Sequence, residues 1–234
     1  MLKALIFDVD GTMADTEGAH LAAFNHAFEQ EGLGWHWDEA LYTDLLAVSG
    51  GKERIRHYWQ QVNPDIKAMD GMALDDTIER IHGLKTAAYE RAVQEGAVAL
   101  RPGVLRLMTQ AHEAGLALAI ATTTSPVNIA ALLRQHLGTE WASLFIVIED
   151  ASTAPHKKPH PQVYLQTLQR LGLEAHEALA FEDSSNGLRA ASAAGLRTIV
   201  TPNAFTAHHD FTGALRIVPD LSQISLTELR AGLA

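Results

Sequence analysis

The sequence contains no cysteine, which excludes disulfide bonds and thiolate metal sites. It also lacks any apolar run near the roughly eighteen residues from which a membrane-spanning helix is recognised. The apolar segment 1–7 ends at Asp8, too early for a signal peptide. We therefore expect a soluble, cytoplasmic protein that acts as a monomer and has no membrane partner.

The sequence also has fewer basic than acidic residues. The 234 residues include 18 lysines and arginines against 28 aspartates and glutamates, a formal net charge of −10. Nucleic acids attract positively charged surfaces, so this balance argues against a nucleic-acid partner. A few local cations are enough to bind a small anionic substrate, which the net charge does not exclude. The hydrophobic fraction of 47% is ordinary for a globular protein.

Two sequence patterns divide the chain. Residues 16–94 show helical periodicity without a convincing strand. After Leu100, strand-like runs alternate with amphipathic stretches, and glycine–leucine pairs follow several predicted helices, as a helix C-cap requires. The strand-like runs are 116–121, 144–148, 178–181 and 196–200, and the run 3–7 at the N-terminus has the same character.

Alternation of apolar strands with helices predicts a parallel sheet covered by helices on both faces. The first strand is separated from the others by the helical segment. We therefore predict an α/β fold, with a three-layer, Rossmann-like core of mainly parallel strands formed by residues 1–15 and 95–234. A helical-bundle cap domain, residues 16–94, is inserted after the first strand.

In open parallel sheets, ligands bind beyond the carboxyl ends of the strands. Here acids, hydroxyls and lysines follow the predicted strands, and together they favour a site for a metal and a phosphate. Alone, residues 122–125 are equally consistent with a polar helix start, and an acid pair also stabilises a helix N-terminus. The residues in question are Asp8, Asp10, Thr12, Thr122, Thr123, Thr124, Ser125, Lys157, Lys158, Glu182 and Asp183.

Two other interpretations fail on sequence spacing. A calcium loop opening at Asp8 needs glycine at its sixth position and glutamate at its twelfth, where Met13 and Ala19 stand. A phosphate-binding loop ending at Lys52 needs an earlier glycine and a following serine or threonine, and Glu53 occupies the second position. No dinucleotide-binding or serine-hydrolase glycine motif is present.

Four motifs together resemble those of the haloacid dehalogenase superfamily of phosphohydrolases. They are "FDVDGT" at 7–12, the strand "LALAIAT" ending at Thr122, "KKPHP" at 157–161 and "FEDSSNG" at 181–187. The helical insert resembles the cap of the β-phosphoglucomutase-like subgroup. "TEGAH" at 16–20, "GGKER" at 50–54 and "ATTTS" at 121–125 are similar to CbbY-like sugar-bisphosphate phosphatases.

This resemblance implies separate roles for the two aspartates of the first motif. Asp8 is expected to attack phosphorus and form an aspartyl-phosphate. Asp10 is expected to protonate the departing sugar oxygen and then to take a proton from the hydrolysing water. The acid role requires a pKa of Asp10 above the ordinary value of about 3.9.

The resemblance also implies Mg²⁺ as the cofactor, bound by Asp8, the backbone carbonyl of Asp10, Asp183 and Glu182. Lys158 is expected to neutralise the transferring phosphate, with Lys157 as the rival for that role. Thr122 and the backbone amides of Thr123 and Thr124 are expected to bind the phosphate oxygens.

The cap is expected to select the rest of the substrate, a small phosphorylated sugar. Glu17 and His20 are assigned to the sugar hydroxyls. A second phosphate is assigned to the segment 50–54, which contains Gly50, Gly51, Lys52, Glu53 and Arg54, together with His82 and Lys85. The alternative for His82 and Lys85 is a solvated helix face.

Three functions remain open at this stage. The leading hypothesis is a magnesium-dependent phosphatase, similar to the CbbY-like enzymes that hydrolyse xylulose-1,5-bisphosphate. A phosphomutase on the same scaffold is the second. The third is a non-catalytic phospho-acceptor like a response-regulator receiver, although receivers are shorter and lack a cap.

Overall fold

The structure is a computed structural model that describes residues 1–63 and 71–232. Residues 64–70, which belong to the predicted helical insert, lie outside the described residues. The helices in this part of the chain are α1 (Glu17–Gln30), α2 (Glu39–Leu45), α3 (Gly51–Val62), α4 (Gly71–Gln94), α5 (Val104–Glu113), α6 (Pro126–Leu137), α7 (Gln162–Leu171), α8 (Ser185–Ala193) and α9 (Leu226–Gly232).

Six parallel strands form one sheet in the order β3-β2-β1-β4-β5-β6, which confirms the predicted α/β fold class. The first strand of the chain lies inside the sheet, between β2 and β4. The strands are β1 (Ala4–Phe7), β2 (Ala117–Ala121), β3 (Val147–Glu149), β4 (Ala178–Glu182), β5 (Arg197–Val200) and β6 (Arg216–Ile217).

Two strand predictions need correction. The third strand was expected at 144–148, but Trp141–Leu144 forms a 3-10 turn that places Trp141 and Phe145 in the core, and the strand starts at Val147. The strand β6 was not predicted. It has only two residues, both exposed, and so carries no apolar run to detect.

The side chains of β1 alternate between two apolar layers, as the period of a strand requires. Leu5 and Phe7 pack on one face with helices α5 and α6, and Phe7 stacks on Phe181 of β4 at 4.7 Å. Ala4 and Ile6 pack on the other face with α7 and α8. Covering both faces of the sheet gives three layers.

Helices α1 to α4 share a separate aromatic cluster. Phe24, Phe28, Trp37 and Tyr42 are fully buried in it, and Trp35 packs against its edge. Both tryptophans therefore have a packing role. Phe205, from the loop after β5, packs against this cluster with its ring 5.8 Å from that of Tyr42, so the cluster also joins the helical region to the sheet.

The chain leaves the sheet and returns to it along paired segments. The amide of Asp15 donates to Ala99 O, and the amide of Arg101 donates to Met13 O at 2.9 Å. The Arg101 guanidinium also donates to the carbonyls of Gly11 and Thr201. One side chain thus ties the loop after β1 to the loop after β5.

The described helices were also compared with what a bilayer requires. In residues 1–63 and 71–232, none combines the length and the apolar character needed to cross a membrane.

The fold predicts a position-specific effect of glycine substitution. Gly103 has φ +84°, and a Cβ there would lie 2.1 Å from the backbone carbon of Leu221. Gly213 has a similar φ of +93°, but nothing within 4 Å of an added Cβ. Gly213→Ala should lower the free energy of unfolding by about 1–2 kcal/mol, the cost of the left-handed backbone alone. Gly103→Ala should lower it further.

Urea denaturation of both variants measures this difference. Equal losses of unfolding free energy in the two variants would show that the backbone at Leu221 moves away from the added Cβ without cost. That result would contradict the packing described here.

Candidate active site

The carboxyl ends of the three central strands bring the predicted core residues together. Phe7 pairs with Ile120 of β2 and with Phe181 of β4, so the residues that follow these strands meet at one edge. Asp8, Thr122 and Glu182 lie there, and all three are buried.

Lys158 joins this group from the loop before α7. Its ammonium donates to Asp8 Oδ1 at 2.7 Å, to Glu182 Oε1 at 2.6 Å and to the carbonyl of Ala121 at 2.9 Å. These three bonds use every donor of the ammonium. Burial opposes its charge, but the two carboxylates outweigh burial and raise the pKa of Lys158. Lys158 is therefore a fixed cation between Asp8 and Glu182.

Three buried carboxylates crowd around this cation. Ligand oxygens of Asp8, Glu182 and Asp183 lie within 4.8 Å of one another. Burial raises the pKa of Asp8 against the opposing charge of Lys158, and burial raises the pKa of Glu182 to about 7. Burial and the charges of Asp8 and Glu182 raise the pKa of Asp183 well above its usual range. One ammonium does not neutralise three acids.

The donor set fits a hard divalent cation. All three side chains offer oxygen, which Mg²⁺ prefers, and Glu182 Oε2 is buried without a hydrogen-bond partner. Gly187 leaves room for that oxygen, because a Cβ there would lie 1.8 Å from it. The Asn203 amide donates to Asp183 Oδ2 at 2.8 Å and orients that carboxylate. Asp8, Glu182 and Asp183 are thus the side chains that can hold the metal.

Asp10 faces the helical region, away from the other acids. His20 Nε2 lies 3.1 Å from Asp10 Oδ1, and His20 Nδ1 lies 2.9 Å from the Lys85 ammonium. Burial acts to raise the pKa of Asp10, but His20 and Lys85 outweigh burial and hold it below the usual range. The raised pKa expected from the acid role is therefore wrong for this arrangement.

The row of Asp10, His20 and Lys85 has a defined hydrogen-bond direction. An ammonium only donates, so His20 Nδ1 accepts from Lys85 and the proton on Nε2 faces Asp10. His20 stacks on Tyr89 at 4.1 Å, which fixes its ring plane. Burial lowers the pKa of Lys85 to about 8.

Glu17 and Arg54 are already engaged within the helical region. Glu17 Oε2 accepts from the Tyr42 hydroxyl at 2.7 Å. The Arg54 guanidinium donates to that hydroxyl and to the carbonyls of Leu45 and Val48. Arg54 therefore stabilises the loop between α2 and α3. These contacts leave fewer of its N–H groups free to bind a phosphate than we expected from the sequence.

The second-phosphate residues line the far wall. Lys52 forms an exposed ion pair with Glu79, and Glu53 folds back over Gly50. Burial, with the charges of Lys85, Lys52 and Lys157, lowers the pKa of His82 to about 3. His82 is therefore a neutral hydrogen-bonding group at pH 7.

One cavity of about 360 Å³ connects these two groups of residues. That volume falls within the range of small-molecule sites. The predicted residues that line it are Asp8, Asp10, Glu17, His20, Gly50, Gly51, Lys52, Glu53, Arg54, His82, Lys85, Thr122, Thr123, Thr124, Lys158, Glu182 and Asp183. Ser125 and Lys157 line it too, so the cavity brings together all the candidates named from sequence except Thr12.

Other residues complete the cavity. Ser125, a candidate from sequence, caps α6, and Asn128, which was not predicted, lies one turn further along with Oδ1 buried and unpartnered. Asn186, within the motif "FEDSSNG", donates to the carbonyl of Ala47 at 3.0 Å, joining the sheet region to the helical one. His209 comes from the loop after β5 and accepts from the amide of Ser185 at 3.3 Å. No sequence signal pointed to Asn128 or His209.

Known proteins match this chain along most of its length. A family model described as "haloacid dehalogenase-like hydrolase" matches residues 2–195. The plasmid form of protein CbbY from Cupriavidus necator is 56% identical over 220 residues, which cover 94% of this chain and 86% of that protein.

Solved structures agree with that match. The crystal structure of CbbY from Rhodobacter sphaeroides in complex with phosphate has a TM-score of 0.87 at 40% identity, covering 98% of this chain and 100% of that one. A mutant of that protein in complex with xylulose-(1,5)bisphosphate has a TM-score of 0.86 at 39% identity, covering 96% and 97%.

The buried position of Lys85 predicts a pH-dependent effect on stability. Its pKa is about 8 in the folded protein against 10.5 for an unperturbed lysine. The folded state loses this proton first, so the free energy of unfolding should rise between about pH 8 and 10.5, by about 3 kcal/mol at most. Lys85→Met removes that rise.

The measurement is the difference in unfolding free energy between wild type and Lys85→Met at pH 7 and at pH 10. The free energy of unfolding of wild type should rise relative to that of Lys85→Met as the pH increases. Lys3→Met, at an exposed site, is the control and should run parallel to wild type. A constant difference between wild type and Lys85→Met would contradict the buried placement of this ammonium.

Proposed function

The chain belongs to the haloacid dehalogenase-like hydrolase family and is a phosphoric monoester hydrolase, and from this premise we propose that it is a magnesium-dependent phosphatase of a small phosphorylated sugar. The observation that carries the proposal is the contact of Lys158 with Asp8 and Glu182, beside Asp183. This site opens into a cavity whose far wall is cationic.

In the first step of the proposed reaction, Asp8 attacks phosphorus. A bond forms between a carboxylate oxygen and phosphorus, the bond from phosphorus to the sugar oxygen breaks, and the sugar oxygen takes a proton from Asp10. In the second step water attacks the same phosphorus, and Asp10 accepts the proton of that water. The bond to Asp8 breaks and the carboxylate is regenerated.

Electrostatic repulsion is the obstacle to the first step. A carboxylate about 4 Å from a phosphate charge is repelled by about 4 kcal/mol per unit charge pair at an effective dielectric constant of about 20. Lys158 supplies one fixed positive charge. Asp8, Glu182 and Asp183, with the Asp10 carbonyl, would hold Mg²⁺, which would supply two more charges. Thr122 and the amides of the following residues complete the binding of the phosphate oxygens.

The proton of Asp10 has a structural source. The Nε2 proton of His20 faces Asp10, and the Lys85 ammonium faces Nδ1 of the same ring. A proton that passes from His20 to Asp10 as the sugar oxygen departs is replaced from Lys85, whose lowered pKa makes the transfer accessible near neutral pH. After the second step the proton that Asp10 took from water returns through His20 to Lys85, so Asp10 is a carboxylate at rest, as its low pKa requires.

A sugar bisphosphate suits the cavity best. The reacting phosphate lies at Asp8, while Lys52 and the amides at the start of α3 offer a second anion site at the far wall. The structure solved with xylulose-(1,5)bisphosphate belongs to a relative with 39% identity. That compound is therefore our first candidate substrate, acted on at one phosphate only.

Release of inorganic phosphate tests the proposal. Purified wild type should release phosphate from xylulose-1,5-bisphosphate with MgCl₂ present and lose that activity with EDTA. Asp8→Asn should abolish both release and phosphoenzyme labelling. Asp10→Asn should lower the rate at least about 100-fold, because general acid–base catalysis contributes that much, while leaving Mg²⁺ binding largely intact.

Two outcomes would contradict the phosphatase proposal. Isomer conversion without net phosphate release would indicate a phosphomutase. Stable labelling of Asp8 without turnover of any phosphorylated pentose or hexose would indicate a phospho-acceptor.

A further inference from the structure

The cations that the sequence assigned to a second phosphate already have protein partners. Lys52 forms an ion pair with Glu79. Arg54 donates to two carbonyls and the Tyr42 hydroxyl, and Lys85 contacts His20. A second phosphate dianion therefore has to compete with these contacts, or to find another cation.

Lys157 is such a cation. It is half-buried, it lines the cavity, and its hydrogen bond is to the carbonyl of Ala151 at 3.1 Å. Among residues 1–63 and 71–232, no carboxylate lies within ion-pair distance of it. Burial lowers its pKa, and the more distant charges of Glu53 and Asp150 oppose that effect only in part.

Lys157 faces a different part of the site from its neighbour. The Lys158 ammonium lies at the acids of the sheet edge. Lys157 instead acts on helical-region groups: its charge helps to lower the pKa of His82, and Lys52 and Glu53 act on Lys157 in turn. Adjacent residues thus place one ammonium at the reacting end of the cavity and one toward its far wall.

We propose that Lys157 is a specificity-determining residue that binds the non-reacting phosphate of a sugar bisphosphate from the sheet side of the cavity, opposite Lys52. This inference rests on the proposed function. It deepens that function by making the second phosphate a bridge between the helical region and the sheet, so that a monophosphate loses a contact on both walls. The substrate class is then a sugar carrying two phosphates.

The test compares a bisphosphate with the matching monophosphate. Lys157→Ala should lower kcat/KM for xylulose-1,5-bisphosphate by about 10- to 100-fold, as loss of a charged hydrogen bond of about 1.5–3 kcal/mol predicts. For xylulose-1-phosphate the loss should stay below about 3-fold. Lys157→Arg should recover most of the bisphosphate activity, and Lys3→Ala is the control for loss of a remote lysine.

Equal losses on the two substrates, or no loss on either, would overturn the role of Lys157. Binding gives an independent measurement. Calorimetry of xylulose-1,5-bisphosphate with Asp8→Asn, compared with Asp8→Asn carrying Lys157→Ala, should show about 10-fold or more weaker binding for the double variant. If wild type releases no phosphate, the proposed function fails, and this binding comparison still decides whether Lys157 holds an anion.

Discussion

The repulsion among three buried carboxylates is the constraint on which the site depends. Asp8, Glu182 and Asp183 converge because the neighbouring parallel strands β1 and β4 end side by side. Lys158 offsets part of their mutual repulsion through two ion pairs of 2.7 and 2.6 Å. Burial, together with the remaining repulsion, raises the pKa values of Glu182 and Asp183, and binding of a divalent cation would relieve that repulsion.

The two walls of the cavity divide the chemistry. In the proposed mechanism the sheet edge holds the attacking carboxylate and the metal ligands, so phosphoryl transfer would take place at this wall. The helical wall supplies His20 and Lys85, which lower the pKa of Asp10.

The sequence predicted the sheet edge well because its geometry follows from local pattern. A short apolar run predicts a buried strand, and parallel strands place the residues after them at one edge. The sequence alone therefore predicts that Asp8, Thr122 and Glu182 lie close together. β6 escaped prediction because two exposed residues carry no such pattern.

The partners of the site residues were harder to predict, since they come from distant parts of the chain. Asn203 contacts Asp183 across 20 positions, and Lys85 contacts His20 across 65. The sequence showed Arg54 as a free cation, while the structure engages it with nearby carbonyls. Side-chain pairing depends on helix packing angles and on competing acceptors, which periodicity does not encode.

We expect a divalent cation to relieve the repulsion among these three acids when it binds. The stability of the protein should therefore depend on Mg²⁺. The free energy of unfolding of wild type should rise as MgCl₂ is added, by about 2.7 kcal/mol when the Mg²⁺ concentration is 100 times the dissociation constant. Asp183→Asn should be more stable than wild type in EDTA and should gain little from Mg²⁺. A wild type indifferent to Mg²⁺, together with an Asp183→Asn variant that is less stable in EDTA, would contradict the account.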